Sequence, residues 1–266
     1  MITKLEDSQP HLDQFDITYW SSPVEAAQVS EVFAGVRPGR VYELNPFIPN
    51  PDPNFTGEYE HWFVASGSME PGRGYAAEGI GTGIQNLSFT GNPNNGNIPF
   101  PLFYDPAGTG FDNWNLAGNP YPSAIDIDKW FIQNSNVAGV YFWTHATPAD
   151  IANDEYNAAD YVSYNLSGGS DPDVEPNIGS GQGFMIETLG PGNALFLNSM
   201  RLVNANDQFF KSDKVKSKLS RSAVAANKTT GFKSSGEKDR MWLSVGNSNG
   251  VEDQILIGFF DKASDD

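Results

Sequence analysis

The sequence predicts an all-β chain: two β-sandwich lobes, jelly-roll-like, with a few short helices and a C-terminal β-hairpin. Three observations carry that expectation. The 266 residues include 27 glycines and 18 prolines, and that much turn chemistry suits many short strands better than long helices. Hydrophobic content of 39% with 13% aromatics is enough to build a core and argues against disorder. The apolar runs are short and bounded by Gly, Pro, Asn or Asp, which is the pattern of strands.

In chain order, Ser22-Pro23 opens a first short helix with Ala26, Val29, Val32 and Phe33 facing inward. Strands follow at residues 39–44 (GRVYEL), 61–65 (HWFVA) and 86–90 (NLSFT). Ser123 is placed to cap a second helix, with Asp126 three residues on and Ile127, Trp130 and Phe131 along one face. Residues 140–143 (VYFW) form a strand. Thr147-Pro148-Ala149-Asp150 then repeats the helix-start pattern, with proline at the first helical position. Strands return at 183–188 (GFMIET) and 194–197 (ALFL). Near the C-terminus, residues 241–245 alternate Met, Leu and Val against Trp242 and Ser244. Asn247-Ser248-Asn249-Gly250 makes a turn, and 254–260 (QILIGFF) is the returning strand.

An internal repeat is visible. Glu70-Pro71-Gly72-Arg73-Gly74-Tyr75 leads to a strand ending at Thr90, and Gly179-Ser180-Gly181-Gln182-Gly183-Phe184 leads to one ending near Arg201. Both carry a G-x-G-aromatic step, which suggests two similar lobes; chance likeness between β-turn sequences is the alternative. The expected organisation is a first lobe over 1–110, a second over 111–210, a basic linker or long loop over 211–238, and the hairpin over 239–266, packing on the second lobe. Between Lys211 and Lys238 lie eight of the sixteen basic residues against Asp213 and Glu237, a net +6 that leaves −23 on the remainder. Small polar residues dominate that stretch, so it reads as a solvated linker. A basic patch for an acidic polysaccharide, or for the protein's own acidic face, is the functional alternative.

Charge and composition exclude several classes. A net charge of −17 and a pI near 4.4 disfavour nucleic acid, which would be repelled over most of the surface. Cysteine is absent, so zinc–thiolate sites, disulfides and thiol catalysis are excluded. No run reaches the roughly 18 apolar residues of a membrane helix, so membrane insertion is not expected. Residues 1–14 (MITKLEDSQPHLDQ) carry no apolar signal core; an exported protein would be represented here by a mature or internal piece.

Catalytic signatures are lacking. The three histidines are His11, His61 and His145, with no G-x-S-x-G and no H-E-x-x-H. Asp126 and Asp128 could pair as glycosidase carboxylates, but at a helix start the macrodipole explains them better. The Gly-rich pieces 79–83 and 179–183 lack a Walker lysine and a long βαβ helix. No enzyme is therefore expected. Two binding chemistries remain. Calcium takes six to eight oxygen ligands, and Asp171, Asp173 and Glu175, or Asp150, Asp154 and Asp160, sit in suitable acidic loops without EF-hand spacing. Aromatic faces pack on sugar C–H groups while neighbouring polar groups bind hydroxyls. Trp143, His145, Tyr161 and Tyr164 are the candidates, with Tyr121 and Trp130 near by in sequence; the competing reading places such rings in the core, as for Trp114 and Trp242.

Several strings occur in order along nearly the whole chain: Tyr19-Trp20-Ser21-Ser22-Pro23, 69–75 (MEPGRGY), 89–96 (FTGNPNNG), 114–126 (WNLAGNPYPSAID), 141–144 (YFWT), 160–169 (DYVSYNLSGG), 181–184 (GQGF), 198–201 (NSMR) and 208–211 (QFFK). Together they resemble a module of large secreted Bacteroidetes proteins, commonly found just upstream of a type IX secretion sorting domain. The resemblance implies an extracellular or cell-surface location, and export by the type IX machinery through a C-terminal domain beyond this sequence. It implies parent proteins such as adhesins, gliding-associated proteins or polysaccharide-active enzymes, and it brings no catalytic motif. The expected partner is a polysaccharide, another glycan or a second surface protein. The Lys-rich stretch before Met241 has no counterpart in the resemblance.

Overall fold

In the computed structural model, which describes residues 3–11, 13–55, 57–106, 113–150, 156–170, 176–203, 205, 240–246 and 252–258, the short alternating runs pair as antiparallel strands. The chain divides into two units, Met1–Ser220 and Arg221–Asp266. In the first unit the order begins β1 (Thr3–His11), β2 (Ile17–Trp20), α1 (Val29–Val32), β3 (Val41–Leu44), β4 (Trp62–Val64), β5 (Tyr75–Glu78) and β6 (Gly83–Gly91). It continues with β7 (Ile98–Leu102), β8 (Trp114–Gly118), β9 (Ile125–Asp126), α2 (Ile127–Gln133), β10 (Val137–Trp143), β11 (Tyr161–Asn165), β12 (Gly168–Gly169), β13 (Asn177–Ile178), β14 (Gly183–Thr188) and β15 (Gly192–Phe196). The fold is all-β, as expected.

The strand order is used twice. In the first half β1 pairs with β6, and the sheet runs β2-β5-β3-β4; in the second β7 pairs with β15, and the sheet runs β8-β14-β10-β11-β12. Setting aside the two-residue strands β9, β12 and β13, each half is a series of six strands. The first strand pairs with the sixth, and the others assemble in the order two, five, three, four, with a helix between the second and third.

The G-x-G-aromatic steps occupy corresponding places. Gly72 (φ 84°) and Gly181 (φ 68°) each turn the chain through the left-handed region, which costs glycine nothing and other residues strain. Gly74 and Gly183 are close-approach positions: a Cβ would lie 2.6 Å from the Ala117 carbonyl oxygen at the first and 2.9 Å from the Tyr19 backbone at the second. Each step reaches into the other half. Arg73 bridges to Ala117 and Gln182 to Trp20; Gly118 N donates to Gly72 O at 2.9 Å, and Ser21 N donates to Gly181 O at 2.7 Å.

Alternation within strands sorts side chains to two faces. Ala117 of β8, Phe184 and Ile186 of β14, Val140 and Phe142 of β10, and Val162 and Tyr164 of β11 face one cluster, which also takes Phe100, Phe196 and the α2 residues Ile127, Trp130 and Phe131. Trp20, Tyr75, Ala77 and Val41 do the same in the first half, meeting Leu87 and Phe89 of β6 and the α1 residues Val29 and Val32.

The helices depart from the sequence expectation in instructive ways. The cap of α2 is Asp126 rather than Ser123: its carboxylate accepts from Lys129 N at 3.0 Å, and Ile127, Trp130 and Phe131 are buried as expected. The helix expected from Ser22 shrinks to the four residues of α1. Ser22 Oγ turns back onto Val24 O, and Ala26, at φ 54°, is exposed, so only Val29, Val32 and Phe33 of the expected face are buried. No helix forms at 147–150. Thr147 instead gives both its N–H and its hydroxyl to the Asp160 carboxylate, at 2.9 and 2.6 Å, which satisfies them without a helical turn.

In the second unit β16 (Arg240–Gly246) pairs antiparallel with β17 (Glu252–Gly258), with Trp242 opposite Leu256. That is the expected hairpin; its turn at 247–250 and the basic stretch 211–238 lie outside the described residues. No helix among the described residues is long and apolar enough to cross a membrane.

Candidate binding site

The faces of the two larger sheets that point away from their own clusters meet each other. Tyr19, Leu44 and Ala76 from the first sheet pack with Leu116, Trp143 and Met185 from the second. Half-buried rings surround this third cluster: Tyr42 and Trp62 on one side, Trp114, Tyr141 and Tyr161 on the other, and Tyr156. Trp114 and Tyr141 meet edge to face with centroids 4.8 Å apart, as do Trp143 and Tyr161. Such T-shaped pairs gain from the ring quadrupoles beyond area burial.

Polar groups thread the seam. The Tyr141 hydroxyl donates to Glu187 at 3.1 Å. The Tyr19 and Tyr161 hydroxyls share a hydrogen bond of 2.7 Å, and the Tyr156 hydroxyl donates to Phe15 O at 3.3 Å. Burial pushes these phenols up: Tyr141 to about 12, with the Glu187 charge adding to the effect, Tyr19 well above its ordinary value, with Tyr161 contributing, and Tyr161 upward as well. All stay uncharged donors across the physiological range.

Below the seam lies a buried polar node. His145 and Asp16 are both fully buried, with His145 Nε2 2.9 Å from Asp16 Oδ1. His145 Nδ1 accepts from Ile17 N at 2.9 Å and lies 3.3 Å from Trp143 Nε1. Two N–H donors converge on Nδ1, so the ring proton sits on Nε2, on the side of the Asp16 carboxylate. His145 takes φ 47°, a left-handed conformation held by these contacts. The node ties the start of β2 to the end of β10.

The structure distributes the sequence candidates unevenly. Trp143 and Tyr161 belong to the seam, with Trp143 almost wholly covered. His145 is the buried node. Tyr164, Tyr121 and Trp130 belong to the second half's interior. The Tyr164 hydroxyl donates to Asp128 at 2.9 Å, and Tyr121, its phenol raised to about 12 chiefly by burial, donates to Gly96 O at 2.6 Å. A ring covered on all sides offers no face to a sugar, so these three serve packing. Of the acidic candidates, Asp150 is exposed, and Asp160 is buried with its carboxylate taken by Thr147. Asp154, Asp171, Asp173 and Glu175 lie outside the described residues. Among the described residues no three His, Asp or Glu side chains converge as metal ligands.

The sequence reading passed over Tyr19, Tyr42, Trp62, Tyr141 and Tyr156, and assigned Trp114 to the core. A signal was present in part: Tyr141 and Trp143 are two residues apart, so a strand puts both on one face. That this face would meet a second sheet, and not solvent, is invisible in a strand pattern.

The family model described as a domain of unknown function, DUF8693, matches residues 2–266. The chain belongs to that family. The match spans both halves and the terminal hairpin, so the DUF8693 unit includes the duplicated strand series and the basic stretch together. No curated protein and no solved structure matches the chain.

Proposed function

We propose that this DUF8693 chain is a non-catalytic binding module of an exported bacterial surface protein, and that it takes a saccharide at the aromatic seam. The observation that carries the reading is the set of half-buried rings contributed by both sheets: Tyr42 and Trp62 opposite Trp114 and Tyr141. Partly covered rings held by edge contacts lose little entropy on binding and offer faces to sugar C–H groups. Glu43 and Glu187, half-buried in the same sheets, supply acceptors for hydroxyls. The extracellular location and type IX export rest on the sequence strings that resemble Bacteroidetes surface modules. In this reading each half is a β-sandwich lobe, the first ending before β7 (Ile98–Leu102), which pairs with β15 of the second, rather than at 110. A ligand-free spacer is the second reading, favoured by the burial of Tyr121, Trp130 and Tyr164.

A glycan array with the purified chain, run in calcium and again in chelator, tests this. A bound saccharide should lose about tenfold in affinity on Trp62→Ala or Trp114→Ala, about 1.4 kcal/mol, with each variant still folded by circular dichroism. Calcium dependence would add the metal. Silence in both buffers from demonstrably folded protein would overturn the saccharide reading and leave the spacer.

A further inference from the structure

Four arginines have described side chains, and three are paired with acids. Arg37 and Arg40 both meet Glu78, and Arg73 meets Glu70. Arg201 has no carboxylate at ion-pairing distance among the described residues, in a chain with 33 acidic residues. It is nevertheless held in place. Its Nε donates to Ser123 Oγ at 3.0 Å, a terminal nitrogen lies 3.5 Å from Asn95 Oδ1, and the guanidinium sits 5.3 Å over the Tyr121 ring.

This half-buried arginine lines an open groove of about 560 Å³ with Ser123, Asn198, Leu202 and Val203. Every polar side chain there among the described residues can donate. The guanidinium has terminal N–H groups to spare. Asn198 uses its Oδ1 to accept from Gly96 N at 3.3 Å, which leaves its amide N–H groups for a ligand. The Ser123 oxygen accepts from Arg201, so its proton is free to point outward. Donors without an acid select an anion, and a guanidinium fork matches the two oxygens of a carboxylate. The fold does not itself require arginine at this bridge: Arg201 pairs with Ile125, and the analogous bridge of the first half joins Val24 to Pro93.

We propose that this groove binds a carboxylate carried on a short aliphatic stem, such as the C-terminus of a peptide ending in Leu or Val. Leu202 and the largely exposed Val203 supply the aliphatic contact. Among the described residues the one ring at hand, Tyr121, is wholly buried beneath the guanidinium and offers no aromatic face to a sugar.

An NMR titration of the full chain tests this with N-acetyl-leucine, N-acetyl-leucinamide, galacturonate and inorganic phosphate. N-acetyl-leucine should bind saturably and shift the Arg201 Nε–H and Asn198 amide signals, with the amide at least about tenfold weaker for want of the charge. Arg201→Gln should abolish binding. Because Arg201 packs on Tyr121, Asn198→Ala serves as a second variant, weakening binding several-fold at unchanged melting temperature. Equal affinity for acid and amide, or no saturable shift at Arg201, would overturn the proposal. So would galacturonate or phosphate binding at least as tightly as N-acetyl-leucine.

Discussion

The two halves of the first unit share a strand order and differ in what fills it. Around the first half's cluster the rings are Trp20, Phe33, Tyr75 and Phe89, set among valines and alanines. The second half's cluster holds Phe100, Tyr121, Trp130, Phe131, Phe142, Tyr164, Phe184 and Phe196. The helices follow suit: α1 is four residues with no side-chain cap, while α2 is seven residues capped by Asp126 and anchored by Trp130. The second half also adds β12 at its sheet edge and the β9–β13 pair. The comparison teaches that turns and alternation determine the topology, while side-chain volume determines how firmly each copy is held. Rings bury more area per ordered residue than valine or alanine.

Core truncation gives the largest expected effect. Trp130→Ala, in contact with Phe131, Phe184 and Phe196, should cost about 3–5 kcal/mol in urea unfolding. Phe33→Ala, beside the short α1, should fall at or below the low end of that range. Equal losses would break the idea that the second half is the better-filled copy.

A smaller effect tests the duplication itself. Gly74→Ala and Gly183→Ala should each cost about 1–3 kcal/mol, because each new Cβ meets backbone of the other half, and at Gly74 the Leu116 side chain as well. Neither glycine needs positive φ, so the cost is steric. If only one variant lost stability, measured in the same urea experiment, the two steps would not be equivalent.

Alkali gives the mildest test. Tyr75 in the first half and Tyr121 and Tyr141 in the second are raised to about 12 by burial, against about 10 in an unfolded chain. Above about pH 10 the unfolded state therefore sheds protons that the folded state keeps, and stability falls as pH rises; below it these groups contribute no slope. Phenolate absorbance followed beside circular dichroism should show these tyrosines ionising at a pH well above about 10 while the protein stays folded. Ionisation near pH 10 in folded protein would contradict their burial.

Much of this was legible in the chain. Strand runs such as GFMIET and VYFW announce themselves as short apolar runs bounded by turn residues, and the G-x-G-aromatic repeat marked corresponding turns because left-handed φ and close backbone approach both demand glycine. The hairpin of β16 and β17 followed from its alternating arms. Helix starts were less legible. Ser123 and Thr147 have the right chemistry for caps, but Asp126 caps α2 in place of Ser123, and the Asp160 carboxylate, distant in sequence, takes the Thr147 N–H and hydroxyl.

The site shows the same division. Local sequence determined which residues could be strand, turn or ring, since those preferences arise within a few bonds. It could not say that Trp143 would be covered while Trp114 and Trp62 stayed half-open, because burial depends on which sheet face meets which. Only the tertiary structure brought Tyr19 to Tyr161, Asp16 to His145 and Arg201 to Tyr121. Each of these pairings joins segments whose separation along the chain leaves no periodic trace, and packing of the whole decides them.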